Sequence, residues 1–133
     1  MARRFHVRAQ IDEDRHRIVF VIAGEIDSRV LIDYFIDVYA GLAEPWAYER
    51  LFDYRRAEGL VDFDEITRLA AWWQDRVGNR DYSSRVAVVV NNPLDHARVH
   101  VVSALFPREI REAFTTVDEA MEWLDGTPTR LRA

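Results

Sequence analysis

Phe5, Val7, Ala9 and Ile11 alternate with His6, Arg8, Gln10 and Asp12. This period of two predicts a strand with one wet face, placed at a sheet edge. The polar stretch 12–17 turns the chain into 18–23, a continuous apolar run that predicts a strand covered on both faces, and the two should form an antiparallel hairpin. Gly24 closes the second strand. Asp27 or Ser28 then caps a helix whose apolar positions Leu31, Phe35, Val38, Tyr39 and Leu42 recur at helical spacing, and Gly41 and Pro45 end it. A short strand over 50–54 leads to a helix from Phe63 to Val77 with the stripe Phe63, Ile66, Leu69, Ala70, Trp73 and Val77. Asp62 and Glu65 stand at capping-box spacing before it.

Gly78 and Asn79 stop that helix, and the β-branched run 86–90 predicts the most buried strand, at the centre of the sheet. Asn92 and Pro93 read as an N-cap and first helical residue, opening a helix over 94–106 with Pro107 at its end. A short strand over 113–115 precedes Thr116 and Glu119, which open a last helix with the stripe Val117, Ala120, Met121 and Leu124. Gly126 and Pro128 release a polar tail from about residue 126. The order ββαβαβαβα predicts an α/β fold: a single mixed five-stranded sheet with helices packed on it.

The 133 residues suit one domain spanning the whole chain, and 49% hydrophobic residues set it apart from disordered sequences. A net charge of −5 argues against nucleic acid as a partner, because that affinity comes from clustered cations. All 18 basic residues are arginines, which excludes lysine-based Schiff-base and P-loop chemistry. The absence of cysteine excludes disulfides, thiolate metal sites and cysteine nucleophiles. Arg3, Arg4 and Arg8 are not followed by an apolar stretch of signal-peptide length, and nowhere do about 18 apolar residues run together. A cytoplasmic protein without an integral membrane segment is expected.

Open α/β sheets bind ligands beyond the carboxyl ends of their parallel strands. Arg55 and Arg56 follow the expected third strand and Asn91 and Asn92 the fourth, and the helix starts there offer backbone N–H groups to an anion. These four are candidate ligand-binding residues, the plainer alternative being solvated loop charges and helix caps. His96 and His100 lie four apart on one helix, but Ala97 stands where a metalloprotease motif carries glutamate, so neither a metal nor a cofactor is assigned. Ser28, Ser83, Ser84 and Ser103 lie in no nucleophile-elbow pattern, and no catalytic residue is assigned. Trp72 and Trp123 flank their helix stripes, as candidate interface residues or as the edge of the core.

In its order of elements and in several local phrases the chain resembles the SpoIIAA-like branch of the STAS fold, described as STAS/SEC14-like. The phrases are Ala23-Gly24-Glu25-Ile26-Asp27 at the end of the second strand, Leu51-Phe52-Asp53-Tyr54-Arg55 in the third, the run 86–90, and the stretch 114–124. The last is the most specific. The resemblance implies a regulatory protein-interaction module, since relatives in that superfamily are anti-sigma-factor antagonists. Those are switched by phosphorylation of a serine in an Asp-Ser pair, at the start of the helix after the third strand. The corresponding stretch 56–64 contains no serine, so the switch is not carried over. Asp62 and Asp64 are candidate regulatory residues at that helix start, as charges resembling part of a phosphate or as plain caps. A non-enzymatic module with a protein partner or a homodimeric state is therefore expected. The SEC14-like side of the resemblance keeps open a second expectation, a binder of a small anionic or lipid-like ligand at the crevice beyond strands three and four.

Overall fold

A computed structural model of the chain describes residues 3–126. The expected hairpin forms from β1 (His6–Asp12) and β2 (Arg17–Glu25), antiparallel and in register from His6 opposite Ala23 to Asp12 opposite Arg17. Strands β3 (Glu49–Glu58), β4 (Ser84–Val89) and β5 (Glu109–Phe114) then add in parallel, giving the spatial order β1-β2-β3-β4-β5. The connecting helices are α1 (Ser28–Ala40), α2 (Phe63–Val77) and α3 (Pro93–Ser103), and α4 (Val117–Leu124) follows the last strand. The expected α/β architecture and element order are both present. The polar tail expected after residue 126 lies outside the described residues.

Parallel crossovers that all step the same way across a sheet, with one preferred hand, put their helices on one face. Side chains from α1, α2 and α3 accordingly share one core with Ile18, Phe20 and Ile22 of β2, Phe52 of β3 and Val86 and Val88 of β4. The alternate residues Leu51, Ala87 and Val89 face the other way, onto Ala120 and Leu124 of α4. The first core is rich in aromatic contacts: Phe20 stacks on Phe52 at 5.0 Å and meets Phe35 edge-on at 4.7 Å.

Several expectations are corrected. Strand β3 runs four residues past 54, so Arg55 and Arg56 belong to the strand and not to a following loop. An extra residue in β3 shifts its register against β2 between Val21 and Ala23, and the pairing then resumes with Ala23 opposite Arg56. Strand β5 starts at Glu109 rather than 113, because inward-facing charges at 109 and 111 conceal its alternation. The centre of the sheet is β3, with β4 an inner strand beside it. The helix starts follow local chemistry. Asp27, Asn92 and Thr116 each accept a backbone N–H of the first turn they cap. Asp62 stands at the N-cap position of α2, but its side chain makes no cap bond. Phe63 is 45% exposed and so lies outside the buried stripe of that helix. Gly24, at φ +83°, lets the N-terminal segment cross close: a Cβ there would lie 2.0 Å from the Arg4 carbonyl oxygen.

Candidate functional site

The helix layer leaves a cavity of about 130 Å³ against the sheet. Most of its wall is apolar, from Ile32 and Phe35 of α1, Ile66 and Leu69 of α2, and Val99 and Val102 of α3. It runs from Arg50, near the start of β3, to Gly59 and Leu60 just beyond that strand, where Asp95 and Arg98 of α3 also line it. Arg98 donates to the Val61 carbonyl and so ties α3 to the β3–α2 connection at this end.

At the other end the wall is charged. Three inward-facing positions of β3 and β5 carry Arg50, Glu109 and Arg111, where a strand under a helix layer ordinarily carries apolar residues. The Arg50 side chain is 2% exposed, that of Glu109 0% and that of Arg111 8%. Glu109 accepts from Arg111 through one carboxylate oxygen at 2.8 Å and from Arg50 through the other at 2.9 Å. Tyr82 donates to the same oxygen as Arg50 at 3.2 Å, and Trp73 Nε1 donates to the Tyr82 hydroxyl at 2.9 Å. Arg50 also donates to Ser84 Oγ at 2.9 Å. Aromatic faces flank both cations: Trp73 lies 4.5 Å from the Arg50 guanidinium carbon, and Phe106 lies 4.8 Å from that of Arg111.

The electrostatics of the two arginines differ. Burial would lower the pKa of Arg50, but the charge of Glu109, together with Tyr39 and the hydrogen bonds to both, outweighs it and the net direction is upward. For Arg111 burial prevails over Glu109 and the pKa falls. Arginine still keeps its proton, so the difference marks where positive charge is least compensated. Burial also raises the pKa of Tyr54 and Tyr39, which keeps both cavity-lining hydroxyls neutral. The Nε atoms of both arginines are buried without a hydrogen-bond partner among the described residues.

The residues singled out from the sequence lie elsewhere. Arg55 chelates Asp53 through Nε and Nη2, both at 2.9 Å, on the sheet face that α4 partly covers, and Arg56 pairs in register with Ala23 on that same face. Asn91 and Arg55 do come together, the Asn91 amide donating to the Arg55 carbonyl at 2.7 Å. Asn92 caps α3. None of the four lines the cavity. Asp62 and Asp64 are exposed at the start of α2, where the Asp62 backbone N–H donates to Ser28 Oγ at 2.9 Å. Trp72 is half-buried and stacks at 6.4 Å on Tyr39; Trp123 is half-buried against Phe114 at 5.5 Å. His96 and His100 belong to no group of three or more metal-ligating side chains among the described residues.

The expected crevice beyond the strand ends rested on a rule about sheets whose strand order reverses, and this order runs without reversal. With α1, α2 and α3 all on one face, the cavity lies beneath the helix layer and reaches beyond the end of β3 at Gly59 and Leu60. The signal available in the sequence was Arg50: it keeps the period-two phase of Phe52 and Tyr54, so it had to point with them into the core.

No family model matches the chain, and no curated protein matches it. Among solved structures it is similar to an uncharacterised protein of the DUF3478 family with a SpoIIAA-like fold, from Shewanella loihica PV-4. The two share 17% sequence identity over 93% of this chain and 98% of that one, with a TM-score of 0.63. The sheet order, the helix layer and this likeness together show that the chain has a SpoIIAA-like fold.

Proposed function

We propose that this domain is a non-catalytic binder of a small lipid-like molecule, held in the cavity between the sheet and helices α1 to α3. The observation that carries this reading is the cavity itself: about 130 Å³ walled mainly by aliphatic and aromatic side chains. An apolar cavity of about 150 Å³ in another protein takes up benzene, so the space suits an apolar group of about six carbon atoms. Leu60 is 55% exposed at one end of the cavity and would offer an apolar approach to it.

Native mass spectrometry of protein purified gently from its expression host tests the proposal, with thermal unfolding in the presence of six-carbon alcohols and acids beside it. A retained small molecule, or a melting temperature that rises with ligand concentration, is the expected result. A bare protein whose melting none of these compounds shifts would sink it.

A second reading, a protein-interaction module, is favoured by a specific observation. Leu60, Phe63 and Leu94 are exposed by 55%, 45% and 82%, on the β3–α2 connection and the first turns of α2 and α3. Under that reading, Leu94→Asp would abolish a dimer or complex while leaving uptake of small molecules unchanged.

A further inference from the structure

We infer that the molecule bound in the cavity is a monocarboxylate, entering with its carboxylate towards Arg50 and Arg111 and its hydrocarbon towards Leu60. This rests on the reading of the cavity as a ligand site and adds the ligand's charge and orientation. Three charged side chains meet at the inner end: two guanidiniums and one carboxylate, all at least nine-tenths buried. Glu109 cancels one positive charge, and among the described residues the other has no carboxylate of its own. Burying an unpaired charge is strongly unfavourable, and an arginine cannot relieve it by releasing a proton. A ligand of one negative charge relieves it.

The acceptor capacity of Glu109 is already engaged, with Arg111 on one oxygen and Arg50 and Tyr82 on the other. Both arginines line the cavity, and among the described residues each has a buried Nε without a hydrogen-bond partner, so neither guanidinium has all its donors engaged. A planar carboxylate matches the guanidinium fork, whereas a dianion would replace one uncompensated charge with another. Tyr54, whose hydroxyl burial keeps neutral, also lines the cavity. Beyond this end the wall is mainly apolar as far as Leu60, where Asp95 and Arg98 stand beside it, and the stretch between leaves room for a short hydrocarbon.

Isothermal titration of the full chain with hexanoate, hexan-1-ol, hexyl phosphate and inorganic phosphate tests the inference. Hexanoate should bind at least tenfold more tightly than hexan-1-ol, and Arg111→Met should remove that preference. Equal affinity for hexanoate and hexan-1-ol would overturn the inference and leave the cavity reading standing. Failure of all four to bind would overturn both. Binding of hexyl phosphate or inorganic phosphate as tight as that of hexanoate would overturn the assignment to a monocarboxylate. The comparison of hexanoate with hexan-1-ol needs no variant, so the test survives if Arg111→Met does not fold.

Discussion

Arg50, Glu109 and Arg111 form a buried triad whose members are not equivalent. Removing Glu109 leaves two cations facing each other in the core, whereas removing Arg111 leaves the neutral pair of Arg50 and Glu109. Breaking a buried pair by removing one partner is destabilising by about 3–5 kcal/mol because it leaves a buried charge uncompensated, which removing Glu109 does and removing Arg111 does not. In urea denaturation, Glu109→Gln should therefore lose about 3–5 kcal/mol, while Arg111→Met should stay within about 1 kcal/mol of the parent or exceed it. A large loss in Arg111→Met would mean that its charge is compensated by a group other than Glu109. On the opposite face, burial would raise the pKa of Asp53, but hydrogen bonds from Arg55 outweigh it and hold it below the ordinary carboxylate range. Because the folded-state pKa is depressed, the stabilisation from this pair is present above about pH 4, the unfolded value, and is lost as pH falls further. The stability difference between the parent and Asp53→Asn should accordingly shrink between pH 6 and pH 2.5.

Helix starts separate residues that look alike in the sequence. Asp27 accepts the Val30 N–H at 3.2 Å and Thr116 accepts the Glu119 N–H at 3.2 Å, whereas Asp62 accepts none through its side chain. Alanine at Asp27 or Thr116 should cost about 1 kcal/mol, and alanine at Asp62 a few tenths. Thermal denaturation of the three variants checks this. A loss at Asp62 equal to that at Asp27 would show that the α2 cap forms in solution. The same comparison bears on Asp62 and Asp64 as regulatory charges, because a carboxylate free of capping is the one available to other partners. Strand β3 shows how one element serves two faces: Arg50, Phe52 and Tyr54 line the cavity while Leu51 and Asp53 face α4. The extra residue after Tyr54 lets the strand continue to Glu58 while turning Arg55 away from the cavity.

Across the whole molecule, the one-sided placement of α1, α2 and α3 creates the cavity, and α4 covers part of the other face. Helix α1 packs on α2 through the Arg68–Asp33 pair at 2.7 Å, whereas α3 rests mainly on β5. Residues of both α2 and α3 line the space that results. Filling that space tests whether it is the site. Val99, 7% exposed and on the cavity wall, lies on α3, and Val99→Phe should keep a cooperative unfolding transition while abolishing any ligand-induced rise in melting temperature. An undiminished rise would place the bound molecule elsewhere. Among the described residues no helix is long and apolar enough to cross a membrane.

The sequence by itself determined the elements. Alternation in β1, the apolar run of β2 and the stripes of α1, α2 and α4 report local periodicity, which depends only on which side chains must leave water. The glycines and caps that end those elements are local too. Inward-facing charge interrupts the period at Glu109 and Arg111 and hides the first half of β5, because the pattern assumes that buried positions are apolar. The candidate site was legible only as single residues. Arg50 and Glu109 are 59 positions apart and become a pair through the parallel register of β3, β4 and β5, and no local pattern encodes that register. The tertiary structure alone decided that these charges share one buried end of a cavity, because the burial of a charge depends on everything packed around it.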